Sequence, residues 1–283
     1  MSERFFAPDS VIWRVDREMV LLLGGGRALL MQLAHPKVAE GVADHSRFRQ
    51  DPMGRLYQTM NTMWSIVFDE VPAAQLSLQR IQQVHRQVQG ALKQGDVLPV
   101  GTPYSAQDPA LLLWVHATLI DSALLTYELF VGPLAGEGKR RYYDETKRLA
   151  LLLGVPESRI PDSLEAFNDY MREMIDSDAI SVGATARALA KEILRPKPWI
   201  LKMAGPVSAL ITIGLLPEKL RHQYGLKWSH RKEKMLHLLA TSLRTTLPLV
   251  PAPFRVVPHA RAAEAKEVPA FGPHKIQAQK GHH

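Results

Sequence analysis

Along almost the whole of this chain apolar side chains recur at i, i+3 and i+4, while alternation at period two is nearly absent. That pattern gives a segment one buried stripe every 3.6 residues, which a helix can bury and a strand cannot. The spacing predicts helices over 9–22, 26–43, 52–68, 73–94, 107–131, 137–153, 161–176, 180–194, 199–213, 217–223 and 229–246. Their boundaries are chemically marked by Gly24-Gly25-Gly26, Val71-Pro72, the run from Gly95 to Pro103, and Gly154-Val155-Pro156. The fold class is therefore all-α, a single-domain multi-helix bundle over residues 1–258. The proline-rich stretch after Pro248 predicts extended surface chain, and residues 259–283 predict a disordered tail.

Composition narrows the function classes. At 283 residues and 46% hydrophobic the chain can bury a large core, and no Gly/Ser-rich linker divides residues 10–255. It has no cysteine, which excludes disulfides, thiolate nucleophiles, thiolate iron ligation and covalent c-type heme attachment. Glu3, Asp9, Asp16 and Glu18 interrupt the first twenty residues, so no signal-peptide pattern is present and a cytoplasmic location is expected. The net charge of +7 is scattered, with small clusters at Lys139–Arg141 and Arg231–Lys234 and no nucleic-acid motif. It reads as a solvated surface with peripheral membrane contact, not a nucleic-acid partner. Trp199 to Leu216 is the most apolar stretch, yet Lys202, Gly205, Pro206 and Gly214 favour a buried or interfacial helix over a span.

Eleven histidines invite a metal reading, but there is no His-Glu-x-x-His and no Glu-x-x-His pair. His230 and His237, with Glu233 between them, read as a basic helix face. Gly24-Gly25-Gly26-Arg27 precedes a helix, but without a preceding strand or a following Lys-Ser/Thr it reads as an interhelical turn before a phosphate loop. No Gly-x-Ser-x-Gly is present, so serine hydrolase chemistry has no foothold.

His85 stands on an aliphatic stripe, Leu78, Ile81, Val84, Val88 and Leu92. By spacing alone it is either a core histidine bonded to a backbone carbonyl or an iron ligand. On the preceding helix Arg55, Gln58 and Thr59 lie at i, i+3, i+4, with Met60, Met63 and Trp64 continuing into bulky apolar surface. His116, in an apolar helix, is the competing ligand or a neighbour of the site. His35, before Pro36, and His45, after Asp44, mark a helix end and a loop, where each could pair with a carboxylate of a bound group alongside Arg27 or Arg47, or pack a helix end.

In order, these runs are Leu23-Gly-Gly-Gly-Arg-Ala-Leu-Leu-Met-Gln-Leu-Ala-His-Pro36, Asp51-Pro-Met-Gly-Arg-Leu-Tyr-Gln-Thr59, Pro103-Tyr-Ser-Ala-Gln-Asp-Pro109 with Trp114-Val-His-Ala-Thr-Leu119, and Leu215 to Trp228. Together, across residues 10–258, the chain resembles the MpaB and latex-clearing-protein (rubber oxygenase) family. The resemblance implies a globin-like, all-helical heme b protein that uses dioxygen on an unsaturated apolar isoprenoid or lipid, with cleavage of a carbon–carbon double bond. It implies that Arg55, Gln58 and Thr59 form the distal wall, matching an Arg-x-x-Lys-Thr pattern, and that His85 is the proximal iron ligand. His116, His35, His45 and Arg27 are then further cofactor-binding candidates. The substrate pocket is expected between the Met60–Phe68 and Leu111–Leu119 helices. One position departs from the pattern: Gln58 stands where latex-clearing proteins carry lysine, so neither lysine ligation nor rubber as substrate carries over. A non-catalytic helical protein that binds heme or lipid is the alternative.

Overall fold

In the computed structural model, residues 3–45, 52–194 and 199–267 are described. The helices are α1 (Val11–Asp16), α2 (Gly25–Leu33), α3 (Pro36–His45), α4 (Pro52–Phe68), α5 (Val71–Gln87), α6 (Pro109–Phe130), α7 (Gly136–Leu152) and α8 (Leu164–Asp176). They continue with α9 (Ala184–Leu194), α10 (Trp199–Leu215), α11 (Glu218–Gln223), α12 (His230–Thr246), α13 (Ala252–Arg255) and α14 (Pro258–Glu267). The all-α expectation holds, with one addition: a short antiparallel hairpin, β1 (Gln89–Ala91) against β2 (Pro103–Ser105), with Gly90 opposite Tyr104.

The long helix α6 is the axis of the bundle. Asp108 caps it by accepting from the Ala110 amide, Pro109 opens its first turn, and apolar residues cover it on all sides. Trp114, Ala117 and Phe130 are fully buried. Among the described residues it is the one helix long and apolar enough to cross a membrane, but half of that apolar stretch is buried inside the protein, as in a core helix. At the C-terminal end of α4, Ile66, Val67 and Phe68 belong to the same buried cluster as Trp114 and Ala117 of α6.

The Gly24–Gly26 turn is a crossing point. A β-carbon on Gly24 would sit 2.2 Å from the Thr126 hydroxyl of α6, and one on Gly26 would sit 2.2 Å from the Thr212 hydroxyl of α10. Only hydrogen at these positions lets three elements approach so closely. Beside them Arg27, 5% exposed, ties the same elements together. Its Nε donates to the Leu215 carbonyl at 2.7 Å, Nη1 to Ser122 Oγ at 2.7 Å, and Nη2 pairs with Asp121 at 2.6 Å. A guanidinium so placed is tolerated because its donors meet acceptors.

Four expected elements are corrected. The helix predicted over 9–22 ends at Asp16, where Glu18 leaves the helix to pair with Val256, and a 3-10 helix over Met19–Gly24 follows. The helix predicted over 26–43 is broken at His35, because Pro36 has no N–H to continue α2 and instead opens α3. The helix predicted over 73–94 ends at Gln87, where Val88 leaves helical geometry and the chain enters β1; a β-carbon on Gly90 would clash with the Tyr104 hydroxyl at 2.6 Å. Residues 252–255 and 258–267, predicted extended, are helical and packed. His259 Nδ1 meets Asp69 at 2.9 Å and Nε2 meets Asn61 at 3.0 Å; Glu264 accepts from Trp13 Nε1 and Arg17; Arg255 grips Glu18 through two bonds of 2.9 Å. The remainder of the predicted tail, 268–283, lies outside the described residues.

Candidate functional site

Helices α4 and α5 form an antiparallel hairpin closed by the turn Asp69–Glu70, with Pro72 in the first turn of α5. Its base is fixed where Ser77 Oγ donates to Ser65 Oγ at 2.9 Å, both side chains buried. From that crossing, eight residues along α5 and seven back along α4 lead to His85 and Gln58, each roughly 11–12 Å from it at 1.5 Å per residue. By helical phase His85 follows Leu78 and Ile81 on α5, and Gln58 follows Ser65 and Thr62 on α4, the Thr62 hydroxyl donating to the Gln58 carbonyl at 2.7 Å. Counted by rise, His85 and the Gln58–Thr59 turn lie at a comparable distance from the Ser65–Ser77 crossing, away from the connecting turn.

That end has the texture of a surface made to be covered. Gln58 and Thr59 are exposed and His85 is half-buried. Next to them in sequence Tyr57 is 64% exposed and Val84 57% exposed, so apolar area borders polar donors on each strand of the hairpin. Arg55 lies on α4 by its backbone, and its side chain falls outside the described residues.

Burial lowers the pKa of His85, so its imidazole is neutral near neutral pH, the form with a free lone pair for a metal. No hydrogen bond to its ring is made among the described residues. Also among the described residues, no group of three or more His, Asp or Glu gathers as a metal site. The donor chemistry on offer is therefore that of a single neutral imidazole flanked by apolar area, which fits a heme and does not fit a bare ion.

Beyond the last turn of α5 the β-hairpin borders an open cleft of about 560 Å³, lined in part by Lys37, Gln89, Tyr104 and Asp108. His45, at the end of α3, contacts the Gln89 carbonyl through Nε2 at 3.1 Å and lies 3.3 Å from the Tyr104 hydroxyl. Tyr104 donates to Asp44 at 2.8 Å, and Lys93 pairs with the same carboxylate. Burial alone would raise the Asp44 pKa, but the bonds from Lys93 and Tyr104 outweigh it and hold the carboxyl below its usual range. His35 adjoins the cleft at the α2–α3 bend; burial first, then the charge of Lys37, push it down to about 4, against an opposing pull from Asp108. Its Nδ1 is buried with no partner among the described residues.

The site candidates thus fall into two groups. His85, Gln58, Thr59, His45 and His35 surround the α5 end of the molecule. Arg27 is held by Asp121, Ser122 and Leu215 inside the bundle. His116 is 5% exposed at the α6–α7 contact, where burial lowers it to about 4 and the Thr146 backbone opposes that shift. Sequence reasoning missed the cleft and missed His259, although Pro258 followed by an alanine-rich segment is a helix signal.

Residues 13–245 match the family described as "ER-bound oxygenase mpaB/B'/Rubber oxygenase, catalytic domain". An uncharacterized protein of Mycobacterium tuberculosis and one of Mycobacterium bovis are each 28% identical to this chain over 228 residues, covering 79% of it and 87% of the relative. No solved structure matches. The matched range takes in α4, α5, the β-hairpin and α6, hence every part of the site just described.

Proposed function

The chain belongs to the mpaB/rubber oxygenase catalytic-domain family, and from that premise we propose that it is a heme b-dependent oxygenase of unsaturated, apolar isoprenoids or lipids. The observation that carries the cofactor assignment is His85: neutral, half-buried, without a partner among the described residues, and at a distance from the Ser65–Ser77 crossing comparable to that of the Gln58–Thr59 turn. When bound, heme supplies the activation of dioxygen. The protein's part is to hold, orient and exclude. His85 would hold the iron through one ring nitrogen while its other nitrogen takes a carbonyl or carboxylate partner. Tyr57 and Val84 offer the apolar area that a flat macrocycle covers. Thr59 would donate its hydroxyl, and Arg55 its guanidinium, to negative charge developing on the oxygen side. Gln58 offers an amide where latex-clearing proteins carry lysine, so this position donates a hydrogen bond without adding a charge or an amine ligand.

The test is the absorption spectrum of purified protein with and without added hemin, in wild type and His85→Ala. A Soret band that weakens or shifts in the variant is expected; a full, unshifted band would remove His85 from the role. Oxygen uptake on unsaturated lipids then separates the oxygenase from a carrier, since a protein that only binds heme or lipid consumes no oxygen at steady state.

A further inference from the structure

The most exposed large apolar side chains among the described residues are neighbours in the chain. Leu249 is 81% exposed, Phe254 75% and Leu238 69%. They belong to α12 and to the segment after it, which runs into the single turn of α13, and from Thr245 to Phe254 no residue is charged. The segment is pinned at both ends. Leu247 is buried at 9% before it, Val256 at 3% after it, and Arg255 is clamped on Glu18. Leu249 and Phe254 are therefore presented outward by a fixed frame, at the cost of leaving their apolar area in water.

The backbone of this segment is suited to an apolar medium. Pro248, Pro251 and Pro253 have no N–H, and the Val250 and Phe254 amides are bonded to the Leu247 and Pro251 carbonyls. Few unsatisfied donors would need to leave water, which is the main penalty for irregular backbone entering lipid. At 100° per residue, Arg231, Lys234, Met235, Leu238 and Thr245 share one exposed arc of α12, and Leu249 stands exposed in the 3-10 turn Leu247–Leu249 that follows it. Basic residues exceed acidic ones on that helix, with Arg231, Lys232, Lys234 and Arg244 against Glu233 alone. Glu233 is itself engaged by Trp228 Nε1 at 2.6 Å and faces His237 at 3.1 Å.

We propose that this face docks the protein on an anionic lipid bilayer, with Leu249 and Phe254 entering the headgroup–acyl boundary and α12 lying along the surface, Arg231 and Lys234 over the headgroup phosphates. An amphipathic basic helix beside an apolar loop is the combination that interfacial binding needs. A second copy of the chain fits less well, because a two-fold contact through the same patch brings two basic helices together without acidic partners. The loop lies just past residues 13–245, the range matched to the catalytic domain, and the inference does not rest on heme or on oxygenase activity.

The test is co-sedimentation of the full chain with vesicles of phosphatidylcholine alone and of phosphatidylcholine with phosphatidylglycerol, at low and high salt. Binding to the anionic vesicles, weakened by salt, is expected. Leu249→Ser with Phe254→Ser should reduce it about a hundredfold, roughly tenfold for each side chain half-withdrawn from water. Arg231→Gln with Lys234→Gln should remove about tenfold of the preference for anionic over neutral vesicles, at unchanged melting temperature. Absence of binding to anionic vesicles overturns the proposal, as does binding indifferent to the Leu249/Phe254 pair. A concentration-dependent dimer that the same pair dissolves, without vesicle binding, assigns the face to a second copy instead.

Discussion

His116 makes the fold sensitive to acid in a way that can be computed and measured. In the folded protein burial holds its pKa at about 4, against 6.5 for a free imidazole. In the unfolded chain it takes up a proton as the pH falls through 6.5; in the folded protein it does not until about 4. Between those values the unfolded state binds more protons, so stability is full above 6.5 and declines as the pH drops. At about 1.4 kcal/mol per pH unit, the loss attributable to this one residue between pH 6.5 and about 5 is on the order of 2 kcal/mol. Its Nδ1 is without a partner among the described residues, so the Thr146 interaction falls to Nε2, whose place a glutamine amide can take. His116→Gln should keep that contact and abolish the titration. Urea unfolding followed by far-UV circular dichroism at about pH 7.5 and about pH 5 gives the comparison. Wild type should lose roughly 2 kcal/mol more than the variant between the two pH values. His35 titrates in both proteins and cancels in the difference. Parallel losses would show that the imidazole is not held neutral and would refute the reasoning.

Two further outcomes test the crossing of α2, α6 and α10. Gly26→Ala should destabilise by about 1–3 kcal/mol, since its β-carbon must displace the Thr212 hydroxyl, and adding Thr212→Ala should return part of that loss in a double-mutant cycle on urea midpoints. Arg27→Met should cost about 3–5 kcal/mol and on the order of 10 °C in Tm, because Asp121, Ser122 and the Leu215 carbonyl lose their shared donor; Arg27→Lys, with no planar fork, should recover only part.

Much of the helical architecture was legible because the apolar stripes of α4, α6, α7 and α12 repeat at helical period, and these elements stand within a few residues of their expected limits. What periodicity could not give were events decided by a single residue. Pro36 splits one apolar stripe into two helices while leaving its spacing intact. Gly90 permits a strand to pass against Tyr104 where the pattern would have carried α5 onward. The segment after Pro248 was misread for the opposite reason. Its prolines mark extended chain in isolation, yet Arg255, His259 and Glu264 find Glu18, Asp69 and Trp13 across the fold, contacts that no local window contains.

The candidate site was legible only as an ordered set of motifs, because its residues look ordinary one by one. The surroundings of His85 in sequence are those of any core histidine, an imidazole on an aliphatic stripe. What separates it from His116, which lies on α6, is where each helix places it in the fold. Both are kept neutral by burial, but His116 is enclosed at a helix contact while His85 stands at the end of α5 where α4 and α5 leave their tight crossing behind. The α4–α5 hairpin is held at its base from three directions, by the Ser65–Ser77 bond, by His259 on Asn61 and Asp69, and by backbone pairing of the Arg4 and Glu70 segments, where the Val71 amide donates to the Glu3 carbonyl. A hairpin fixed at one end and bordered by exposed Tyr57 and Val84 at the other keeps its tightest contacts away from the proposed position of His85 as a ligand. If the proposed group binds there, it should raise the protection of the α4 and α5 ends from hydrogen exchange while leaving that of α6 unchanged.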